Sequence, residues 1–340
     1  MAKARLHRPL AVSLGDPAGV GPELIAAAWA ARDREALPPF VAVGGVRLLA
    51  AAAASRGLQV PIEPVATSSD AAAVFDRALP VIGTIDGPWR PGDPDEDGSA
   101  LAFESLKRAS ELAISGEAAG VVTGPVAKSR LAAVGFNFPG QTEFVAHACG
   151  IPAQDAVMML AGPQLRTVPL TIHVALARVP AAISVDLILR KVRITSMALQ
   201  RDFGIERPRI AVAALNPHAG EDGRMGDEER RVIAPAIDAL RTEGLSVTGP
   251  HSADALFAPH ARGGYDVAIC MYHDQALIPL KALDFDSGVN VTLGLPIVRA
   301  SPDHGTAFDI AGTGRASAGA TIAAMRLAGE CAARRASHGS

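Results

Sequence analysis

The chain has 340 residues and a formal net charge of −3, and 49% of its residues are apolar but only 4% are aromatic. This length is enough for two domains or for one large α/β unit with a substantial core. Lysine and arginine are scattered along the chain. The composition therefore predicts neither a nucleic-acid partner nor a membrane surface, and it favours small-molecule chemistry.

Neither a targeting segment nor a membrane span is predicted. The alanine-rich stretches 26–31 and 50–54 are too short and too weakly apolar to cross a bilayer, and the basic residues 1–8 are not followed by the apolar run of a signal peptide. The cysteines, which are Cys149, Cys270 and Cys331, have no metal-site spacing and no even count. This pattern predicts a reducing, cytoplasmic location.

The first quarter of the chain reads as strand, turn, strand and helix. Leu10 to Leu14 is the first predicted strand, and residues 15–23 form a glycine-rich turn into a helix. The glycine spacing of this turn is not the dinucleotide-binding fingerprint. Phe40 to Gly44 is the second predicted strand, and Arg47 to Ala54 is a helix that ends before Gly57.

A polar segment and a second strand-turn-helix unit follow. Residues 91–98 are predicted to be a solvated acidic loop, and Ser99 is predicted to cap a helix that ends near Gly116. Ala119 to Thr123 is a predicted buried strand. The turn 124–130 that follows it is equally consistent with an anion cradle and with a surface turn carrying a lysine.

Two long helices are predicted in the second half, together with a final one. Ser184 should cap a helix that runs to Phe203 and is closed by Gly204. A helical stretch from Asp227 to about Thr242 must be kinked or divided at Pro235, after a flexible loop at 219–226. Ala316 to Glu330 is the last predicted helix, and residues 334–340 are predicted to be frayed.

Three apolar runs each deliver a histidine at or just past their carboxyl end. These runs are Thr167 to His173, Ile210 to His218, and Val267 to Met271, which is followed by His273. Each run is typical of a buried strand in a parallel sheet, and the carboxyl ends of such strands share one edge, where α/β proteins bind ligands. Taken singly, each histidine is better explained as an ordinary solvated or hydrogen-bonded side chain. Taken together, they predict a three-histidine site for a divalent ion such as zinc or cobalt.

Several long and unusual motifs resemble one enzyme family over almost the whole chain. They are GDPAGVGPE at Gly15, TGPVAK at Thr123, PGQTEF at Pro139, LNPHAGEDGRMGDEE at Leu215, SAD at Ser252, MYHDQ at Met271, GVNVTLGLPIVR at Gly288 and DHGTAFDIAG at Asp303. The family is that of the 4-hydroxythreonine-4-phosphate dehydrogenases, which act in pyridoxal phosphate biosynthesis.

The resemblance implies an α/β/α two-domain fold like that of isocitrate and isopropylmalate dehydrogenases, with a cleft active site and a homodimer whose active sites lie at the subunit interface. Residues 1–120 and 285–340 would form the nucleotide-side domain. Residues 121–284 would form the metal, substrate and dimerisation domain.

The resemblance also implies roles for individual residues. The metal ligands (Zn, Mg or Co) fall on His173, His218 and His273. Candidate catalytic residues are Asp254, Asp274 and Lys281. Substrate contacts are implied for Gln141, Thr142, Lys281, Asn290 and Arg299. The loop that holds the nicotinamide cofactor, NAD or NADP, would contribute His304, Gly305, Thr306, Asp309 and Gly312.

The implied reaction is NAD- and metal-dependent oxidation of 4-phosphohydroxy-L-threonine, followed by decarboxylation of the 3-oxo acid to 3-amino-2-oxopropyl phosphate. A related dehydrogenase acting on threonate or erythronate 4-phosphate is the alternative, and an acyl-phosphate transferase or an inactive binding protein would not need the histidines. Two positions depart from the family pattern. Gln141 replaces a usual histidine, and Ala276 stands where glycine is common.

Overall fold

The computed structural model describes residues 8–338, so the predicted fraying at 339–340 lies outside the described residues. The described strands are β1 (Leu10–Ser13), β2 (Phe40–Val43), β3 (Ile62–Val65), β4 (Leu79–Ile82), β5 (Val121–Val122), β6 (Val157–Ala161), β7 (Arg166–Pro169), β8 (Arg209–Ala213), β9 (Ser246–His251), β10 (Val267–Cys270), β11 (Val289–Leu293) and β12 (Arg299–Pro302).

The described α-helices are α1 (Gly21–Ala30), α2 (Val46–Ser55), α3 (Ser68–Val74), α4 (Glu96–Ile114), α5 (Lys128–Ala133), α6 (Gln141–Ala148), α7 (Val179–Ala182), α8 (Val185–Phe203), α9 (Ala234–Thr242), α10 (Ala253–Leu256), α11 (Pro259–Arg262), α12 (His273–Asp284) and α13 (Gly319–His338). Strands and helices alternate along much of the chain, which confirms the predicted α/β class.

The chain divides into two compact units. The first contains residues 8–153 and 295–338, and the second is Gln154–Gly294. In the first unit the strand order is β3-β4-β2-β1-β5-β12, and neighbouring strands are parallel. Helix α4 packs on β1 and β2, and α13 packs on β5 and β12. The strands are almost entirely buried apart from β3 at the edge, as expected for a sheet covered by helices.

The second unit has the strand order β11-β6-β7-β10-β8-β9. Strands β7, β10, β8 and β9 are mutually parallel, whereas β6 is antiparallel to both of its neighbours, β7 and β11. The parallel arrangement predicted for the strands that precede the histidines is therefore confirmed. Helix α12 packs on β7 and β10, and α8 packs on β6, β11 and α9.

The beginning of α4 differs from the prediction. The helix begins at Glu96 rather than after Ser99, because Asp95 is the capping residue: its Oδ1 accepts a hydrogen bond from Gly98 N at 2.7 Å. Glu96 and Asp97 then lie in the first turn, where negative charge interacts favourably with the helix dipole. Part of the acidic segment interpreted as a solvated loop is thus a helix start.

The predicted caps of α8 are confirmed. Ser184 Oγ accepts a hydrogen bond from Leu187 N, and Gly204 closes the helix in the left-handed conformation. The predicted division at Pro235 is also confirmed, since a single π-helical turn at Glu229–Ile233 gives way to α9, with Pro235 in its first turn.

The last helix is longer than predicted. It begins at Gly319 and continues to His338, so residues 334–338 are helical rather than frayed. Cys331 and Ala332 are buried and alanine recurs nearby, so packing and helix propensity both favour continuation.

Lys191 on α8 is buried in the second unit, with 8% of its surface exposed. Its Nζ donates a hydrogen bond to Pro169 O at 3.2 Å, and burial lowers its pKa from 10.5 to about 8. Below pH 8 the folded protein carries the full cost of a buried charge. Between pH 8 and 10.5 the unfolded chain binds a proton that the folded chain does not, so stability should rise with pH across this window.

We therefore expect the free energy of unfolding of the wild type to increase by about 2 kcal/mol relative to Lys191→Met between pH 7.5 and 9.5. Urea unfolding of both proteins at several pH values measures this difference. Subtracting the unfolding free energy of Lys191→Met from that of the wild type removes the contribution of the other titrating groups. Parallel pH profiles for the two proteins would contradict the prediction.

Candidate active site

His173 and His273 come together beyond the ends of two neighbouring parallel strands. Strand β7 ends at Pro169, four residues before His173, and β10 ends at Cys270, three residues before His273. The two imidazole ring centroids are 6.0 Å apart. His173 has φ 55°, a left-handed backbone conformation that is uncommon for a residue other than glycine. His273 is the first residue of α12.

Asp274 lies beside this pair. Its Oδ1 is 2.7 Å from Nδ1 of His273, and its side chain is largely exposed. A carboxylate that binds one imidazole nitrogen fixes the orientation of the ring and leaves the other nitrogen available to a ligand. The structure therefore brings together three of the predicted residues: His173, His273 and Asp274.

His218 lies in an unusual loop after β8. Residues His218, Ala219, Gly220, Glu221 and Asp222 all have positive φ, so the segment makes a turn of left-handed helix. Such a backbone costs roughly 1–2 kcal/mol for each residue other than glycine, and it persists only where the surroundings determine it. The His218 side chain is exposed at this turn.

A buried carboxylate holds this loop at its base. Glu229 is 5% exposed, and its Oε1 accepts hydrogen bonds from Leu215 N at 2.9 Å and Asn216 N at 2.7 Å. Its Oε2 accepts a further bond from Asn216 Nδ2 at 3.0 Å. Glu229 was not among the predicted site residues. Glu229 is the last residue of the LNPHAGEDGRMGDEE motif, and its place in that motif was the available signal in the sequence.

Asp254, at the start of α10, is near enough to His218 for their charges to interact. A hydrogen bond from Ser252 Oγ is the largest cause that lowers the pKa of Asp254, and the nearby His218 contributes less. Asp254 is therefore a carboxylate at neutral pH.

The three predicted ligands do not form a complete metal site within one chain. Among residues 8–338, no group of three or more histidine, cysteine, aspartate or glutamate side chains is close enough to hold a metal ion. Imidazole nitrogens suit zinc and cobalt, and the pair of His173 and His273 fits such an ion as two of its ligands. A third histidine, cysteine, aspartate or glutamate ligand is not in place among residues 8–338.

Lys281 and Asn290 also belong to the second unit. Lys281 is half-buried on α12, and Asn290 is half-buried on β11 opposite Leu160 of β6. The Oδ1 atom of Asn290 is buried and accepts no hydrogen bond from the part of the chain that the structure describes. A buried oxygen without a donor is costly, which is consistent with a site for a ligand that supplies one.

The first unit contains a polar cluster around Arg299. This residue is 4% exposed at the beginning of β12, and its Nη2 donates hydrogen bonds to Thr123 Oγ1 at 2.8 Å and to Gln141 Oε1 at 3.5 Å. Its Nη1 donates to Thr142 Oγ1 at 3.4 Å. Burial lowers the pKa of Arg299 to about 10, partly offset by the negative charge of Glu143. Arg299 therefore stays positively charged at neutral pH.

The cluster unites three predicted substrate residues, Gln141, Thr142 and Arg299, and adds Thr123, which the sequence interpretation did not select. Gln141 is oriented by its Nε2, which donates to Gly124 O at 3.0 Å. Both Gln141 and Thr142 lie in the first turn of α6, where backbone N–H groups are available to an anion. The position of Thr123 directly after β5 was the available signal, since polar residues at strand ends mark such edges.

The predicted cofactor loop, residues 303–314, packs against the glycine-rich turn at 15–23 within the first unit. Val20 N donates a hydrogen bond to Thr306 O at 2.9 Å, and a Cβ on Gly19 would lie only 2.7 Å from the same oxygen. Gly312, at φ 74°, donates its N–H to Glu23 Oε1 at 3.3 Å. The absence of a side chain at Gly19 therefore permits close packing of this turn against the loop.

Two further features of the loop bear on nucleotide binding. His304 Nδ1 is 3.0 Å from Gly305 O, whereas its Nε2 is buried without a hydrogen-bond partner among residues 8–338. Gly305 and Asp309 are exposed. A buried ring nitrogen beside exposed backbone fits a loop that receives a polar ligand, so the residues present are compatible with a nucleotide.

Known proteins resemble the chain closely. A family model described as "Pyridoxal phosphate biosynthetic protein PdxA" matches residues 35–328. The 4-hydroxythreonine-4-phosphate dehydrogenase of Erythrobacter litoralis is 61% identical over 97% of this chain and 98% of its own. The enzyme of that name from Zymomonas mobilis is 49% identical over 96% and 97% of the two chains.

Solved structures of enzymes with the same name also resemble the chain. The crystal structure of a 4-hydroxythreonine-4-phosphate dehydrogenase from Klebsiella pneumoniae has a TM-score of 0.83 and 37% identity, and covers 96% of this chain and 99% of that one. A terephthalate 1,2-cis-dihydrodiol dehydrogenase from Burkholderia xenovorans has a TM-score of 0.65 and 29% identity, with 95% and 98% covered.

These relatives are dehydrogenases, and the present protein is accordingly an enzyme of the oxidoreductase class. It belongs to the pyridoxal phosphate biosynthetic protein PdxA family, which confirms the resemblance seen in the motifs. No helix among residues 8–338 has the length and apolar character that crossing a membrane requires.

Proposed function

We propose that the protein oxidises 4-phosphohydroxy-L-threonine at its C3 hydroxyl, with loss of CO2 from the resulting 2-amino-3-oxo-4-phosphooxybutanoate, as a cytoplasmic step of pyridoxine 5'-phosphate biosynthesis. The observation that carries the proposal is the pair of His173 and His273 at the carboxyl ends of neighbouring strands. The choice of substrate is supported by the names of the relatives, which are 4-hydroxythreonine-4-phosphate dehydrogenases.

The second unit would hold a divalent cation on His173, His218 and His273, and Zn, Mg and Co are the candidates. When bound, the cation supplies Lewis acidity towards oxygen atoms of the substrate. Asp274 orients the His273 ring through Nδ1, so that Nε2 keeps its lone pair for binding. Asp254 stays ionised beside His218.

The first unit would bind an anionic group of the substrate through Arg299. Burial excludes water from the guanidinium, and Thr123 Oγ1 fixes its plane at one end. The fixed fork suits a two-point grip on phosphate or carboxylate, to which Thr142 adds a hydroxyl donor. Lys281 and Asn290 are proposed as further substrate contacts, since Asn290 Oδ1 can accept a hydrogen bond from a substrate N–H or O–H group.

The nicotinamide cofactor, NAD or NADP, would supply the hydride acceptor. We assign its binding to His304, Gly305, Thr306, Asp309 and Gly312, because their loop is braced by Val20 and Glu23 and contains the buried His304 Nε2.

A substrate panel tests the proposal directly. Purified protein is mixed with NAD and either 4-phosphohydroxy-L-threonine, threonate 4-phosphate or erythronate 4-phosphate, with and without added zinc, and NADH is followed by absorbance. We expect NADH with the first compound only. Turnover of the sugar-acid phosphates alone would assign the chain to the alternative activity, and no turnover with any compound would contradict both.

We also propose that the protein is a homodimer in which each site takes His173 and His273 from one chain and His218 from its partner. Six of the seven exposed large apolar side chains among the described residues lie in the second unit. Val174 and Leu176 lie just after His173, and Met225 lies seven residues after His218. Ile278 lies on α12, and Phe285 is the residue after its end. These side chains support the proposed interface, in which a two-fold axis would place each loop against a second copy.

Mixed dimers test this sharing of ligands. If His218→Ala and His273→Ala subunits are refolded together, half of the dimers are mixed, and each mixed dimer has one intact site. We expect recovery of up to about a quarter of wild-type activity. The matched control combines His173→Ala with His273→Ala, which should recover nothing because both ligands come from the same chain. Equal behaviour of the two mixtures, with subunit exchange shown by mass, would contradict the arrangement.

A further inference from the structure

A chain of buried hydrogen bonds crosses the ends of the three strands that precede the predicted histidines. Strands β7, β10 and β8 are neighbours in this order in the second unit. Their carboxyl ends continue into Thr171, Met271 and Ala214, which lie two, two and four residues before His173, His273 and His218. The main-chain groups at these positions are joined by two side chains, those of Thr171 and Gln275.

Gln275 makes the longer connection. Its side chain is 9% exposed, its Oε1 accepts a hydrogen bond from Met271 N at 2.7 Å, and its Nε2 donates one to Ala214 O at 2.8 Å. One amide therefore links the end of β10 to the end of β8. An amide is suited to this task because it offers an acceptor and a donor at opposite sides of one planar group.

Thr171 extends the connection to the third strand. It is 7% exposed, and its Oγ1 donates a hydrogen bond to Met271 O at 2.9 Å. The Met271 residue is thus held at its N–H by Gln275 and at its C=O by Thr171. Beyond Ala214, Glu229 holds the next two backbone N–H groups, at Leu215 and Asn216.

We propose that Gln275 is a positioning residue that sets the relative placement of the segments carrying His273 and His218, and that Thr171 extends this placement to the segment carrying His173. The proposal rests on the proposed function for its catalytic consequence. Its structural part, the coupling of the three strand ends, is independent of any ligand.

Gln275→Met tests the main link, because methionine matches glutamine in length but has neither the acceptor nor the donor. Thr171→Val removes the second link, and Thr171→Ser restores its hydroxyl. Thr195→Val is the matched control: Thr195 is fully buried in the same unit, and its Oγ1 donates to the main-chain Lys191 O inside α8 and not to a main-chain group of the three strand ends.

Three kinds of measurement are made on each full-length variant. Hydrogen exchange followed by mass spectrometry reports the segments 214–220 and 270–275 without any ligand. Equilibrium dialysis with zinc alone reports affinity, and kcat and KM are measured where turnover is present. We expect Gln275→Met to accelerate exchange in both segments together and to weaken zinc binding by about 10- to 100-fold, with kcat falling more than KM rises. Thr171→Val should have the same effects more weakly, Thr171→Ser should resemble the wild type, and Thr195→Val should change none of the measured quantities.

The outcomes separate this inference from the proposed function. Wild-type protein that neither binds zinc nor oxidises the substrate would contradict the function, and the positioning role would then be judged by hydrogen exchange alone. If Gln275→Met exchanges in both segments as slowly as Thr195→Val, the positioning role is wrong even in an active enzyme. Should Gln275→Met fail to fold, Thr171→Val compared with Thr171→Ser decides the question.

Discussion

We expect His273→Ala to lower kcat/KM by about 100- to 1,000-fold, as is typical when a group that stabilises charge in the transition state is removed. His273 begins α12 with its ring 6.0 Å from that of His173, and its side chain is partly exposed. It therefore contributes little to the core, and the midpoint of thermal unfolding should change by only a few degrees. Addition of a chelator to the wild type should produce a comparable loss of activity, reversed by zinc or cobalt.

The comparison that isolates this effect is His260→Ala. His260 lies exposed on α11 in the same unit, so the substitution removes an equivalent side chain outside the proposed site. Zinc content after dialysis should fall in His273→Ala and stay unchanged in His260→Ala. Full activity of a chelator-treated, metal-stripped wild type would refute the metal hypothesis.

Arg299→Lys should also lower kcat/KM strongly, on the order of 100-fold, although it preserves the formal charge. Lysine cannot reproduce the planar fork that reaches Thr123 and Thr142 together. The position is also unfavourable for an ammonium group, because the burial that lowers the pKa of Arg299 to about 10 would lower that of a lysine towards neutrality. The variant therefore loses the planar arrangement of hydrogen-bond donors and part of the positive charge at this position.

Steady-state kinetics over pH 6.5–8.5 measure the effect, and the fractional charge of the lysine should make the defect larger as the pH rises. Arg77→Lys serves as the control, because Arg77 pairs with Glu63 on the exposed surface of the same unit. Unchanged kcat/KM in Arg299→Lys would assign Arg299 a structural role only.

Local signals predicted part of the fold well. Ser184 and Gly204 bound α8 as expected because caps depend on neighbouring residues, and Pro235 divides its helix for the same local reason. The predicted start of α4 was wrong because Asp95 and Ser99 are both suitable capping residues. Only the hydrogen bond from Gly98 N to Asp95 Oδ1, seen in the folded chain, distinguishes them. The antiparallel placement of β6 depends on pairing with β11, about 130 residues later, which no local pattern reports. The proposed domain boundaries near residues 120 and 284 remain a prediction.

In the candidate site, too, features set by neighbouring residues were predictable, whereas contacts between distant residues were not. The three strand ends that precede the histidines were predictable from apolar runs, and the structure places those strands side by side. The contact between Arg299 and Thr123 joins residues 176 positions apart, so only the folded chain reveals it. The left-handed backbone at His218 was also unpredictable, since four of its five residues are not glycine.

That left-handed turn has a consequence for chirality. Ala219, at φ 54° and ψ 39°, adopts the mirror image of an ordinary right-handed helical conformation. The hand of an L-amino acid opposes this backbone by roughly 1–2 kcal/mol, whereas a D-amino acid has its own minimum there. A chemically synthesised or semisynthetic enzyme with D-alanine at position 219 would therefore have a relaxed loop without the added chain entropy of glycine. In this segment of the protein, the mirror-image building block is the conformationally natural one.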